Sequence, residues 1–353
     1  MRHGVGVIGA GPGLWALHAP TLARLSDELR IVHVADAGSG TAEVIAGRSG
    51  ARWSSGIHDL LADAAVDVVV VCSPPAVHAD HVLAAVAAGK RAVFCEKPLA
   101  TSEADAARVI DACRAAGVAL LVGTNHLFDG AWNRAKHHLT AAGGQVRALA
   151  VTMALPPNDR YHDVVTESTP AAPRAGGPPL ADPNVAASVV RQLLVGLAVH
   201  DLPLLRDLAP DLERVVYARA IAPIGYAVGY VASGVPVRLT TVMLPGGADA
   251  LWRLDITTDD ERIEVTFPPA FVHDGSAAVR VRFADGRVTA YPPEVEDGYV
   301  AEWRALLDAL GGTVEVQYDE LLEDARYALR LADAAAAAVL AGSSVSPAEE
   351  VVS

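Results

Sequence analysis

Apolar residues in the first third of the chain come in short unbroken runs separated by stretches of helical period. The runs cover 5–9, 29–35, 66–72, 91–95 and 118–122, with helical stretches near 14–25, 40–47, 76–88 and 102–116. Valine-rich runs without polar alternation fit strands buried on both faces, as in a parallel sheet covered by helices. Alternating βα units of this length predict a doubly wound, Rossmann-type α/β domain over 1–123. The pattern changes after Val122. A helix over 130–142 and a strand over 145–155 lead into 156–184, which is rich in Pro, Gly, Ala and Asp and has no period. So long an irregular stretch reads as an active-site lid or a contact arm rather than a plain connection. A helix over 185–208 follows. Strands from about 212 to 292, with turn signals at Ser233-Gly234, Pro245-Gly246-Gly247 and Asp285-Gly286, predict an open, mainly antiparallel sheet. Helices over 298–310 and 318–341 close a C-terminal α+β domain, 124–353.

Length and charge narrow the classes. A chain of 353 residues has room for two cored domains, and a net charge of −14 argues against a nucleic-acid or anionic-membrane surface. The start of the chain runs into Val5-Gly6-Val7-Ile8-Gly9 with no basic-then-apolar leader, and the longest apolar stretch, 334–340, is too short to span a bilayer. Three cysteines at 72, 95 and 113 have no metal-ligand spacing, so no metal is expected. A cytoplasmic, reduced protein is the expectation.

The chemistry concentrates at the ends of the strand runs. Gly9-Ala10-Gly11-Pro12-Gly13 follows the first strand and opens the first helix, where glycines let the backbone approach a pyrophosphate at the helix N-terminus. Leu14 stands where the sixth-position glycine of that pattern falls. Asp36 ends the second strand, at the distance where a carboxylate accepts hydrogen bonds from ribose hydroxyls. Ala37-Gly38-Ser39 offer no cation for a 2′-phosphate, so NAD is favoured over NADP. Ser73 and Pro74 close the third run, and His78 follows at the start of the next helix. The chain has only three lysines (Lys90, Lys97, Lys136) against 25 arginines, so lysine in Glu96-Lys97-Pro98 points to a compact ammonium that can donate or lose a proton. Taken alone, that tripeptide reads rather as a capped strand end; here it follows a glycine-rich loop and an acidic residue at the spacings of a dinucleotide site.

Together these residues resemble the Gfo/Idh/MocA family, the glucose–fructose oxidoreductase and inositol dehydrogenase group. The resemblance runs through the Gly9 loop, Ser73-Pro74-Pro75-Ala76-Val77-His78, Glu96-Lys97-Pro98, Gly123-Thr124-Asn125-His126-Leu127-Phe128, His200-Asp201-Leu202 and Gly298-Tyr299-Val300-Ala301-Glu302-Trp303. It implies a Rossmann domain followed by a domain built on an open sheet. It implies that Lys97 polarises the hydroxyl or carbonyl that loses or gains hydride, with His200 as proton-transfer partner. The family's aspartate four residues before that histidine is absent: Gly196 occupies its place. On a continuous helix Gly196 would share a face with His200, and Asp201 would point about 100° away. A helix-interior glycine there suggests that a ligand group or a neighbouring backbone needs the room.

Cofactor contacts are thus expected from Gly9, Gly11, Gly13, Leu14, Asp36, Ser73, Pro74, His78, Glu96 and Lys97, and catalysis from Lys97 and His200. Asn125, His126, Tyr161 and Gly196 are substrate candidates, and His162, Asp163, Glu167, Arg147, Arg160 and Arg174 are further possibilities left open. The function implied is an NAD(P)-dependent oxidoreductase acting on a secondary alcohol or ketone of a sugar, cyclitol or sugar derivative. The alternatives are a lyase or isomerase that uses bound NAD without net redox, and a non-catalytic nucleotide sensor. The partner expected is a small-molecule substrate. The uncovered sheet, with the family's habit, predicts a homodimer or homotetramer.

Overall fold

The computed structural model describes residues 2–38, 40–156, 177–244 and 249–342. They form two compact units: Met1–Phe128 with Gly298–Arg326, and Asp129–Asp297 with the chain from Tyr327 onward. Among the described residues no single helix is long and apolar enough to cross a membrane.

The first unit is a six-stranded parallel sheet. Its strands are β1 (His3–Ile8), β2 (Leu29–Asp36), β3 (Arg52–Ser55), β4 (Val68–Val71), β5 (Ala92–Cys95) and β6 (Ala119–Val122), in the order β3-β2-β1-β4-β5-β6. Strands β4, β5 and β6 are buried at every position, so their side chains feed two cores, one on each face. Val69, Val71, Val93 and Cys95 enter one core, and Val68, Val70, Ala92 and Phe94 the other. Chain order reverses between β1 and β4, and the crevice beyond the carboxyl ends of such strands is where ligands bind in this architecture. The loops after β1, β4 and β5 therefore define the place to look.

Two features of this unit depart from the sequence expectation. The first helix opens with a π turn, Leu14–His18, before the α-helical Ala19–Arg24. The segment Gly298–Arg326, expected in the C-terminal domain, packs in the first unit. The helix Gly298–Leu310 places Val300, Trp303 and Leu306 three residues apart, and all three join the core containing Phe94. The Trp303 ring stacks on Phe94, centroids 4.7 Å apart. Gly298 lies so close to the Asn125 carbonyl that a Cβ there would sit 2.4 Å from its oxygen, so only glycine lets the helix start there.

The second unit is an eight-stranded sheet of β7 (Val146–Leu155), β8 (Leu212–Ala220), β9 (Ile224–Ala232), β10 (Val235–Met243), β11 (Leu251–Thr258), β12 (Glu261–Phe267), β13 (Ala278–Phe283) and β14 (Val288–Tyr291). The order is β14-β13-β12-β11-β7-β10-β9-β8. All pairings are antiparallel except β7 with β10. Trp252, Leu254 and Ile256 of β11 are buried, while Arg253, Asp255 and Thr257 between them face the other side. That alternation marks a sheet with one cored face. The outer face carries a cavity of about 390 Å³ lined by Ala148, Ala150, Arg238, Asp255, Arg262 and Arg280, among others.

Candidate active site

The glycine loop shows why each glycine is there. Gly9 has φ +101°, and a Cβ would lie 2.7 Å from the backbone of Cys72 and Ser73, so the loop after β1 can hug the end of β4 only with glycine. Gly11 and Gly13 meet the opposite situation: among the described residues no heavy atom lies within 4 Å of a Cβ built on either. The tight glycine closes the protein backbone, and the two open ones leave room for a ligand against main-chain groups. Leu14, expected among the cofactor residues, sends its side chain into the core, fully buried. Only its backbone remains for a ligand.

Asp36 ends β2, and its Oδ1 accepts the Gly38 N–H at 2.6 Å, which turns the chain sharply at the sheet edge. Ser73 follows β4, and its hydroxyl lies 2.8 Å from His81 Nδ1. Pro74 is exposed. His78, expected among the cofactor residues, turns its ring into the protein. Its side chain is buried, with Nε2 2.6 Å from the Ser73 carbonyl oxygen and Nδ1 2.7 Å from that of Pro98. Both ring nitrogens are committed within the protein.

Glu96 and Lys97 follow β5, and the Lys97–Pro98 peptide is cis. The Glu96 carboxylate accepts the Lys97 N–H at 3.2 Å and lies 2.9 Å from His18 Nε2. Burial opposes the Glu96 charge, but His18 and Lys97 outweigh it and hold the carboxyl below its ordinary range. For Lys97 burial dominates: it lowers the ammonium pKa, and Glu96 restores only part. A lysine so placed is readier to give up a proton near neutrality than one in water.

Beneath Glu96 lies a cluster that sequence reasoning did not find. His18 is fully buried at the end of the π turn, edge-on to both Phe94 and Trp303. Burial disfavours its charged form, while Glu96 favours it. The Trp303 indole N–H, 3.3 Å from Nδ1, instead needs a bare nitrogen there. The neutral ring accounts for both contacts, donating from Nε2 to Glu96 and accepting at Nδ1. Cys72, whose own pKa burial raises, is an uncharged thiol near neutrality and lends a cation no support there. The available signal was a histidine in an apolar helix directly after the glycine loop.

Asn125 and His126, in the short helix Asn125–Phe128, are both buried. Asn125 Oδ1 has no hydrogen-bond partner among the described residues. A buried amide oxygen left this way is unfavourable unless a ligand or water supplies a donor.

In the second unit the structure corrects the geometry expected around His200. The helix Pro183–Gly196 ends at Gly196, a 3₁₀ turn covers Ala198–His200, and a new helix Leu202–Leu208 leaves at 72°. Gly196 and His200 therefore share no continuous helix face. Among the described residues nothing lies within 4 Å of a Cβ built at Gly196. Asp201 is fully buried, and its two oxygens share the Trp252 indole N–H at 3.1 and 2.9 Å. The Trp252 ring in turn meets His200 edge to face, centroids 5.6 Å apart at 84°. Asp201 thus acts on the tryptophan that flanks His200. Tyr161, His162, Asp163, Glu167, Arg160 and Arg174 lie outside the described residues. Arg147 pairs with Asp259 on the surface of the second unit, 2.7 Å apart.

Residues 3–124 match the model of an oxidoreductase family, GFO_IDH_MocA, described as an NAD-binding Rossmann fold. Inositol 2-dehydrogenase 2 of Saccharopolyspora erythraea is 35% identical over 225 residues, 63% of this chain and 58% of the relative. Inositol 2-dehydrogenase 3 of the same organism is 41% identical over 140 residues, 39% of this chain and 41% of the relative. Residues 3–124 carry the NAD-binding domain of the Gfo/Idh/MocA family. It spans about half the length of these two curated relatives. Solved structures extend the likeness of fold beyond the Rossmann unit. A putative myo-inositol dehydrogenase from Sinorhizobium meliloti superposes with a TM-score of 0.68 at 23% identity, covering 97% of this chain and 98% of that one. KijD10, a 3-ketoreductase from Actinomadura kijaniata solved with NADP and TDP-benzene, gives 0.70 at 21% identity, covering 92% and 95%.

Proposed function

We propose that this protein is an NAD-dependent oxidoreductase that moves hydride to or from a secondary alcohol or ketone of a cyclitol or sugar. The observation that carries the reading is Lys97: a half-buried ammonium with a depressed pKa, at the carboxyl end of β5 in the sheet whose β1 loop holds the open glycines. The relatives named as inositol 2-dehydrogenases support the substrate class.

The residues present fit a dinucleotide. Gly11 and Gly13 leave a cradle that side chains would fill, Asp36 offers a carboxylate at the end of β2, and Asn125 Oδ1 is an acceptor in want of a donor. The cofactor, when bound, supplies the hydride chemistry. Lys97 donates a hydrogen bond to the substrate oxygen and stabilises the charge that develops there. The Glu96 carboxylate, held by His18 and the Lys97 N–H, fixes the turn that carries the lysine. His200 is the proposed proton-transfer group of the second unit. NAD is preferred because the Asp36 carboxylate would repel a 2′-phosphate. Copies of the chain associate through the outer face of the second unit's sheet, which sedimentation at micromolar concentration would check.

The test is absorbance of reduced nicotinamide with myo-inositol, scyllo-inositol and a panel of sugars, using NAD and NADP in parallel. Turnover with a polyol, faster with NAD and reduced on the order of 10²–10³-fold in Lys97→Met, is the expected result. No signal with any polyol or sugar, while NAD still binds, would turn the reading towards internal redox or nucleotide sensing.

A further inference from the structure

His78 begins the helix His78–Ala87, and its ring is 1% exposed. Nε2 lies 2.6 Å from the Ser73 carbonyl oxygen, in the loop after β4, and Nδ1 lies 2.7 Å from the Pro98 carbonyl oxygen, directly after Lys97. Among the described residues no backbone N–H reaches either carbonyl. A carbonyl oxygen can only accept, so a ring nitrogen at either distance must carry a proton. A neutral imidazole has one N–H and one bare nitrogen. Whichever way it is drawn, one lone pair would then face another across less than 2.8 Å in a buried site. His18 is the contrast, because one of its nitrogens faces the Trp303 indole donor and single protonation suffices.

We propose that His78 is a buried imidazolium in the resting protein, donating from both nitrogens to clamp the Ser73 loop to the Lys97–Pro98 turn and so acting as a positioning residue for Lys97. The charged groups around it lie on three elements. Asp80 lies in the first turn of the same helix, paired with Arg108 of the helix Glu103–Ala116 at 3.7 Å, and His81 lies one turn on with its Nδ1 on the Ser73 hydroxyl. On the β5 side stand Glu96 and Lys97 themselves. His81 is held below its ordinary range, by burial first and by the neighbouring charge of His78 second. The link from the clamp to turnover rests on the role proposed above for Lys97; the protonation state does not.

The experiment is a long-range ¹H–¹⁵N correlation spectrum of ¹⁵N-histidine-labelled full-length protein at pH 7, with His78 assigned by through-bond transfer and by its loss in His78→Gln. Two protonated-type ring nitrogens are expected for His78. One bare nitrogen would overturn the proposal, whether or not the variant folds. In the second arm, inositol turnover by folded His78→Gln is expected to fall on the order of 10²-fold, because a misplaced catalytic group costs about that much. Unchanged turnover would overturn the positioning role. A wild-type protein inactive on every polyol, with both nitrogens protonated, would sink the proposed function and leave the imidazolium standing.

Discussion

Lys90 and Lys97 bracket the same strand, β5, and both ammonium groups are pushed below the usual lysine range, by burial first. At the amino edge of the sheet Lys90 donates to the carbonyl oxygens of Asp63 at 2.9 Å and Val66 at 3.0 Å, closing the loop before β4. At the carboxyl edge Lys97 sits beside Glu96, in the same sheet as the open Gly11 and Gly13. One depressed pKa thus belongs to a structural staple and the other to the proposed site. A perturbed lysine is a candidate for chemistry only when its surroundings leave a ligand somewhere to go. The edge of the sheet decides which lysine that is, because ligands bind beyond the carboxyl ends of parallel strands.

The two edges should respond differently to substitution. The largest effect is expected from Gly9→Ala, which combines left-handed backbone strain with a Cβ 2.7 Å from main-chain atoms of Cys72 and Ser73. Strain and overpacking together should cost roughly 2–6 kcal/mol, read as a lowered urea midpoint together with lost NAD binding. Asp36→Ala should weaken NAD by about 1.5–3 kcal/mol, the range for a hydrogen bond to a charged group, and NADP by less. Isothermal titration with both nucleotides decides it, and equal losses would remove Asp36 from ribose recognition.

At the amino edge Lys90→Met takes the ammonium donor from the Val66 carbonyl and leaves that of Asp63 with the Val66 N–H alone, and should cost about 1–3 kcal/mol in the urea midpoint, with turnover per folded molecule unchanged. Asp63 should show itself through pH. Burial works against its charge, but the hydrogen bond with His33, the Ala65 N–H and Arg52 prevail and hold its pKa below the ordinary value. A carboxyl depressed on folding contributes stability above its unfolded pKa, and that contribution is lost as pH falls through the folded value. Asp63→Asn should therefore narrow the gap between urea midpoints at pH 7 and pH 3 relative to wild type. An unchanged gap would show that Asp63 is not part of the acid response.

The Rossmann sheet was legible because its strands are buried on both faces and appear as unbroken valine runs; 68–71 is four valines in a row. Strand β3 escaped because Arg52-Trp53-Ser54-Ser55 is an exposed edge with no such run. The π turn and the buried His18 are tertiary facts: what fixes them is Glu96 and Trp303, 78 and 285 residues away. The break after Gly196 did carry a local signal. Asp201 before a proline in the first turn of Leu202–Leu208 is a helix-start pattern, and reading 185–208 as one helix passed over it. The placement of Gly298–Leu310 in the first unit had only its apolar stripe to announce it, and a stripe does not say which core it joins. The placement of Lys97, Asp36 and the glycines at the carboxyl ends of strands was readable from the apolar runs that precede them. His78 was found in sequence, but the two backbone oxygens that its ring meets come from separate loops and were not.

The central claim is that the two ends of β5 divide structure from chemistry, and the most direct measurement pairs turnover with thermal midpoint for Lys97→Met and Lys90→Met. The account predicts that Lys97→Met melts within about 2 °C of wild type, binds NAD and turns over on the order of 10²–10³-fold more slowly, while Lys90→Met melts roughly 2–10 °C lower and turns over normally when folded. Wild-type turnover in Lys97→Met would contradict it.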